Sequence, residues 1–368
     1  MSRVSSLTVS GYKSIRELKD FKLNNLNVLI GANGAGKSNF INLFRLLNEM
    51  YEHQLQLYVQ RQGGPDALLH FGRGTSERLH AEFHFELNTP APIKNAYRFT
   101  LIPTLDNRLI FESEESLFFG GELQVINSSR LLGSGHAESK LKDAKDDYSE
   151  YVRPSVNNWR VYHFHDTSDT AKVKQRHATN DNLRLKPDAA NLAAYLRMIK
   201  EKHEAEYRRI VETIRLVMPF FDEFVHRSGD PEHVELEWTQ KGKPDTPFKA
   251  HMLSDGSLRF ICLATLLLQP VLLLPNTLLI DEPELGLHPY AIAVLVDMFK
   301  QVAEDKQLII STQSVELVNG LLPEDVIVVD QEDGASTFRR YSEVELSGWL
   351  TEYSMGEIWK RNILGGRP

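Results

Sequence analysis

The chain has 368 residues, a net charge of −8 and a 42% hydrophobic fraction, an ordinary globular composition with core enough for two to three domains. Its single cysteine, Cys262, excludes an intrachain disulfide framework and a multi-cysteine zinc site and fits a reducing interior. The acidic balance argues against a wholesale basic nucleic-acid binder, and the longest apolar run, 261–274, is broken by Gln269 and Pro270 and too short to span a bilayer.

Residues 4–9 alternate as a first strand. Gly11-Tyr12-Lys13-Ser14-Ile15 turns the chain, and 21–23 form a second strand before Asn24-Asn25. The first twenty residues thus read as strand and turn rather than a secretion signal, and a cytoplasmic protein without membrane contact is expected. The β-forming run 26–30 leads straight into Gly31-Ala32-Asn33-Gly34-Ala35-Gly36-Lys37-Ser38, and a helical pattern follows from Asn39 toward Leu57. Strand, glycine loop and helix are the context of a phosphate-binding P-loop. Glycines let backbone N–H groups turn toward phosphates, and the helix N-terminus adds a favourable dipole. Asn33, Gly34, Ala35, Gly36, Lys37, Ser38 and Asn39 are the expected ATP-binding set, with Lys37 on the β- and γ-phosphates and Ser38 on Mg²⁺.

Gln62-Gly63-Gly64-Pro65 ends the helix, and alternating runs at 80–87, 96–102, 109–113 and 115–119 predict an antiparallel meander over 78–126. Residues 127–153 are polar and predict a mobile loop with a short helix near 138–147. A strand is expected over 159–164 and a loop over 165–187. One helix, capped by Asp188, is expected over 189–215. Its stripe of Leu192, Tyr195, Leu196, Ile199, Tyr207, Ile210 and Ile214 reads as core, an arm or lid being the alternative. Residues 234–239 and 248–250 are further strand candidates. Beyond Leu253 the pattern becomes helix (258–268), strand (277–280), helix (290–303), strand (307–311), short helix and strand (325–329), the mark of a parallel sheet covered on both faces.

The strand at 277–280 ends in Asp281-Glu282, the Walker B pattern of a P-loop protein. Asp281 is placed to hold Mg²⁺, and Glu282 to act as general base on the attacking water. Upstream, Ser254-Asp255-Gly256-Ser257 opens a helix and offers N–H groups, a hydroxyl and a dipole to an anion, although the same residues make an ordinary N-cap turn. Downstream, a buried strand ends in Ser311-Thr312-Gln313-Ser314.

The order of these motifs resembles the ABC-type ATPase head of SMC and RecF-like proteins and of stand-alone prokaryotic predicted ATPases of the AAA family. The likeness covers both ends of the chain; 78–249 match loosely. Leu68-Leu69-His70-Phe71-Gly72, Tyr162-His163-Phe164-His165-Asp166, and Gly356-Glu357-Ile358-Trp359 with Gly365-Gly366-Arg367-Pro368 resemble one subgroup of these ATPases. The resemblance implies a P-loop ABC-type head with a mainly parallel core sheet, an antiparallel β subdomain and a helical and loop insertion. It implies that Ser254 and Gly256 contact the γ-phosphate held by a partner chain, so that two ATPs are sandwiched in a head-to-tail homodimer. It also implies a basic residue near the nucleotide at Lys13, for which a solvated lysine is the alternative, and makes Gln62 a candidate Q-loop glutamine. Two departures matter. The signature reads Ser-Asp-Gly-Ser instead of Ser-Gly-Gly-Gln, and the switch-histidine position is Gln313, which takes no positive charge, so slow turnover is implied.

Four regions follow: an N-terminal ATPase lobe (1–77), the β meander (78–126), an insertion (127–250), and a C-terminal ATPase lobe with signature, Walker B and switch (251–368). Lys172, Lys174, Arg176, Arg184 and Lys186, with His163, His165 and His177, form a basic stretch able to meet a phosphate backbone, a solvated charged loop being the bland alternative. No metal beyond Mg²⁺ is expected. Several relatives belong to bacterial phage-defence or DNA-repair operons, often beside a nuclease. The resemblance therefore implies an ATPase whose nucleotide-dependent dimerisation switches a nuclease, another effector protein or DNA. A second reading is an ATP-dependent sensor or scaffold with little hydrolysis that holds a nuclease or toxin. A transporter subunit is disfavoured by the β-rich insertion.

Overall fold

The structure, a computed structural model, describes residues 2–87, 93–120, 125–227 and 232–367. Its contacts divide the chain into two compact units, 1–159 with 322–368, and 160–321. The fold is mixed α/β.

In chain order the first unit begins with β1 (Ser2–Tyr12), β2 (Ile15–Lys22), β3 (Leu26–Ile30), α1 (Lys37–Tyr51), α2 (Leu55–Gln62), β4 (Leu79–Leu87), β5 (Ile93–Pro103), β6 (Leu109–Gly120), β7 (Val125–Gly133) and α3 (Asp147–Val156). Six of these strands make one antiparallel sheet in the order β2-β1-β4-β5-β6-β7. Alternation puts Phe83 and Phe85 of β4 on one face, where they pack on Trp159 with ring centroids 5.6 and 5.9 Å away. Phe44 of α1 meets Phe83 at 5.7 Å and Trp159 at 5.0 Å, which seats the helix after the glycine loop on this sheet. All five residues of β3 are buried, as a strand covered on both faces requires.

The single helix expected over 39–57 is two. His53 adopts a left-handed backbone (φ 56°), and α2 restarts where the Glu138 carboxylate accepts the N–H groups of Leu55 (2.8 Å) and Gln56 (3.0 Å). The meander forms as expected, its segments 88–92 and 121–124 lying outside the described residues, but 109–120 is one strand rather than two. Glu114 in its middle is fully buried. It accepts hydrogen bonds from Tyr97 Oη (2.6 Å), Ser139 Oγ (2.5 Å) and Lys140 N (2.9 Å), and pairs with His136 Nε2 at 2.8 Å. The stretch 127–153 is accordingly not the loop with a short helix near 138–147 that the sequence suggested. β7 runs to Gly133, the following residues are anchored through Glu114 and Glu138, and the helix starts at Asp147, with Asp146 accepting from Ser149 N at 3.0 Å.

The second unit follows, with β8 (Trp159–Tyr162, its first residue in the first unit), β9 (His177–Ala178), α4 (Leu192–Lys202), α5 (Glu204–Val217), β10 (Phe221–Phe224), β11 (His233–Val234), β12 (Glu237–Gln240), β13 (Lys243–Lys249), α6 (Asp255–Leu268), β14 (Thr277–Asp281), α7 (Pro289–Asp305), β15 (Gln307–Ser311) and α8 (Val315–Asn319). The helix expected over 189–215 is again two, because His203 leaves the helical region (φ −142°, ψ 58°). It starts at Leu192, not beside Asp188: Ala189 is left-handed, and the Asp188 carboxylate accepts from Lys172 Nζ (3.1 Å) and Ala190 N (3.2 Å). The apolar stripe is buried, so it is core. Strands β14 and β15 pair in parallel with Asp281 opposite Ser311.

The chain then returns to the first unit with β16 (Val326–Glu332), β17 (Ala335–Arg340), α9 (Glu343–Leu350) and α10 (Met355–Lys360). β16 runs parallel to β3, with Val328 opposite Ile30, and β17 closes an antiparallel hairpin on it through left-handed Asp333 and Gly334.

Candidate functional site

In the first unit, β3 delivers the chain to the glycine loop and α1 leaves it. Gly31, Gly34 and Gly36 all have positive φ (149°, 82° and 115°). At Gly31 a Cβ would lie 2.1 Å from Val329 O, and at Gly36 2.0 Å from Ser336 Oγ, so both positions admit hydrogen alone. Lys37 is buried, and its ammonium donates to Gly31 O at 2.6 Å and Ala32 O at 3.0 Å, arching over the loop. Asn33, Gly34 and Ser38 are exposed, whereas Ala35 and Gly36 are buried. The Asn39 amide donates to Ser14 Oγ at 2.7 Å.

Sequence reasoning missed what braces this loop. Ser336 of β17 donates from Oγ to Ala35 O (2.5 Å), lies 2.7 Å from Ser14 Oγ, and its N–H reaches Ser14 O at 2.7 Å. Two hydroxyls from opposite ends of the sequence thus hold the loop's floor. The one available signal was the Asp-Gly pair that turns β16 into β17. Lys13 and Gln62, both singled out in the sequence, are together: Lys13 Nζ donates to Gln62 Oε1 at 3.0 Å. Burial lowers the Lys13 pKa, and the nearby Arg45 guanidinium lowers it further.

In the second unit the acidic pair sits at the end of β14. Ser311 Oγ donates to Asp281 Oδ1. Glu282 is left-handed (φ 44°), its N–H donates to Ser311 O at 3.0 Å, and its Oε1 accepts the side-chain amide of Gln313. The structure therefore brings Glu282 and Gln313 together. Glu284, which the sequence did not single out, is buried. Its Oε1 accepts from Thr312 Oγ1 (2.7 Å) and Gln313 N (2.9 Å), fixing the strand end that carries Gln313. Burial raises its pKa, and the Glu282 charge raises it further.

Ser254 is the N-cap of α6. Its Oγ accepts from Ser257 N at 3.2 Å and donates to Ser257 Oγ at 2.9 Å, and the residue is exposed. Gly256 has a packing reason to be glycine: a Cβ there would lie 2.2 Å from Gly286 O. Arg259, on the same helix, donates to Phe164 O (3.1 Å), His165 O (2.9 Å) and Leu285 O (2.8 Å), while His165 Nε2 lies 2.8 Å from Asp281 O. One guanidinium thus ties the 164–165 segment to the loop after β14. The basic stretch is largely used internally. Lys174 is buried with its Nζ on Thr167 O at 2.6 Å, Lys172 pairs with Asp188, and Lys186 pairs with Asp181.

The first unit can cradle phosphates with backbone N–H groups, a helix N-terminus and a buried ammonium. The second carries a carboxylate for a hard cation and a second carboxylate held by an amide. Among the described residues no cluster of three or more His, Cys, Asp or Glu forms a metal cage. Sparse oxygen donors fit Mg²⁺, which takes one or two protein ligands and completes its shell from substrate and water. Also among the described residues, no helix is long and apolar enough to cross a membrane.

A family model described as "AAA domain, putative AbiEii toxin, Type IV TA system" matches residues 26–319. Among solved structures, the chain is similar to an Smc head bound to the C-winged helix domain of ScpA, at 16% identity and TM-score 0.63, with 94% of this chain and 99% of that chain covered. It is also similar to the Smc head domain with an extended coiled coil bound to the C-terminal domain of ScpA from Pyrococcus furiosus, at 16% identity and TM-score 0.60, covering 96% and 99%. No curated protein matches significantly. At such identities the structural likeness speaks for the fold.

Proposed function

Because the chain belongs to the AAA family whose model spans residues 26–319, a family of ATPases, we propose that it binds ATP with Mg²⁺ and hydrolyses it slowly as an ABC/SMC-like head. The observation that carries this reading is the buried Lys37 ammonium, 2.6 Å from Gly31 O, arching over a loop with three positive-φ glycines.

Each residue's role follows from its chemistry. N–H groups of Asn33 to Lys37 and the helix start at Ser38 and Asn39 hold the phosphates, and Lys37 neutralises them. Lys13 supplies a second cation. Ser38 and Asp281 would hold Mg²⁺, which when bound offsets charge on the β- and γ-phosphate oxygens. Glu282 takes the proton from the attacking water, and Gln313 orients that carboxylate through its amide. Ser254 and Gly256 act across a head-to-tail homodimer on the partner's nucleotide. The dimer's formation and release then switch a nuclease, another effector protein or DNA, in repair or anti-phage defence, in the cytoplasm. The two similar Smc heads are bound to domains of ScpA, which favours a protein partner.

The second reading, an ATP-dependent scaffold with little hydrolysis, is favoured by one observation. Gln313 occupies Glu282 and cannot become a cation, so developing negative charge meets a weaker donor. ATPase rate measured with and without DNA, alongside light scattering with ATP and ADP, separates the two. Turnover coupled to dimerisation supports the switch. ATP-bound dimers with no turnover support the scaffold, and no ATP binding at all refutes both.

A further inference from the structure

The segment after α10 is pinned where surface loops are ordinarily held by water. Trp359 is fully buried, and its indole N–H donates to Gly366 O at 2.5 Å. Gly366 N donates to Asp330 Oδ2 at 3.0 Å, and Tyr341 Oη donates to Leu364 O at 3.0 Å. Gly365 and Gly366 both take left-handed backbone (φ 81° and 55°). All this places Gly366 against β16 beside the phosphate loop. A Cβ on Gly366 would lie 2.9 Å from Val328 Cγ1, 3.0 Å from Val329 O and 3.4 Å from Gly31 Cα. Gly31, the loop's first glycine, presses on the same Val329 carbonyl. Two glycines far apart in sequence therefore crowd the same carbonyl, Gly31 with no room for a side chain and Gly366 with little. Arg367 follows at once, exposed and without an ion pair among the described residues.

We propose that residues 364–367 are an outer wall of the phosphate loop and that Arg367 is a nucleotide-binding residue, its guanidinium meeting the phosphates of the ATP held by Gly31 to Ser38. The proposal rests on the ATP-binding reading above. A guanidinium suits the task because its planar fork pairs with phosphate oxygens in two hydrogen bonds and stays charged at every working pH. Trp359 and Asp330 are positioning residues: they touch the strap, and through it they place Arg367. The core role of Trp359 explains its burial. It does not explain why its one donor is aimed at a glycine carbonyl next to the loop, or why the strap needs two left-handed residues.

The test is equilibrium binding of Mg-ATP to the full chain by calorimetry. R367A is expected to bind about tenfold more weakly, with R367K between it and wild type and all three melting together. W359F keeps the ring in the core but loses the donor, and is expected to weaken ATP in the same direction by less. K37A separates this inference from its premise. If K37A abolishes binding while R367A binds as wild type, the strap is only packing and the inference falls. If K37A also binds as wild type, the phosphate-loop reading fails and takes this inference with it.

Discussion

The carboxylate of Glu284 accepts a 2.7 Å hydrogen bond from the hydroxyl of Thr312. The same oxygen takes the Gln313 N–H at 2.9 Å, while the other, Oε2, is buried with no partner among the described residues. Desolvation raises the pKa above the ordinary 4.5, so in the window above 4.5 the folded chain holds more protons here than the unfolded chain. Stability contributed at this site therefore falls as pH rises from 4.5 toward the raised folded value. E284Q keeps an oxygen for both donors and has no charge to bury. Urea midpoints measured across that window should fall with pH in wild type more steeply than in E284Q, and equal slopes would discard the account. E284A leaves both donors unmatched and should cost about 1–3 kcal/mol.

Ser336 supports the glycine loop, proposed to bind phosphate, from β17 through Ala35 O and Ser14. S336A removes that brace without touching a phosphate-binding group, so it should weaken ATP binding while the fold persists. Losing one such bond is worth about 1 kcal/mol, or roughly a fivefold change in Kd. Titration with labelled ATP measures it. An unchanged Kd would mean that the loop keeps its shape without the hydroxyl.

The strand ends that carry the candidate residues were legible in the sequence, because each is written as a contiguous run. Gly31 to Ser38 and Asp281-Glu282 lie at strand ends whose apolar runs announce them, and Gln313 follows the next such strand. What was hidden depends on contacts far apart in the chain. Ser14 and Ser336 are ordinary serines until β1, β2 and β17 bring them together 2.7 Å apart. Glu138 looks like a residue of a polar loop, yet it caps α2 more than eighty positions earlier and so divides one expected helix into two. Glu114 sits between two apolar runs and reads as a turn. Instead it lies within β6 and is the buried acceptor for Tyr97 Oη and Lys140 N, tying the polar stretch after β7 to the sheet. Local propensity carries no record of these partners.

The two ends of the catalytic proposal are separable. K37A removes the buried cation from the loop and should abolish ATP binding or weaken it severely. E282Q keeps the shape of the side chain but cannot accept a proton, so ATP should bind with near wild-type affinity and turnover should stop. Light scattering should then find ATP-dependent dimers accumulating. Turnover by E282Q at the wild-type rate would remove Glu282 as the base. Wild-type affinity in K37A would remove Lys37 from phosphate binding.

The choice of residue decides whether action in trans can be tested at α6. Gly256 is unsuitable, because even alanine there would clash with Gly286 O and distort the loop after β14. Ser254 is exposed, and among the described residues its hydroxyl bonds only to Ser257 at its own helix start. S254R should therefore cost about 1 kcal/mol for the lost cap and leave the fold in place. The bulky cation should block an interface that brings α6 of one chain to the nucleotide of another. ATP should bind isolated S254R chains normally, yet hydrolysis should fail. Mixing S254R with excess K37A chains supplies the decisive comparison. In a mixed dimer one composite site carries both defects, while the other joins an intact loop to an intact signature, so part of the activity should return. Absence of recovery, with mixed dimers demonstrated, would count against action in trans or require both sites to fire together. Weak ATP binding by isolated S254R chains would instead assign the α6 start to the nucleotide of its own chain, and the ABC-type arrangement would have to be given up.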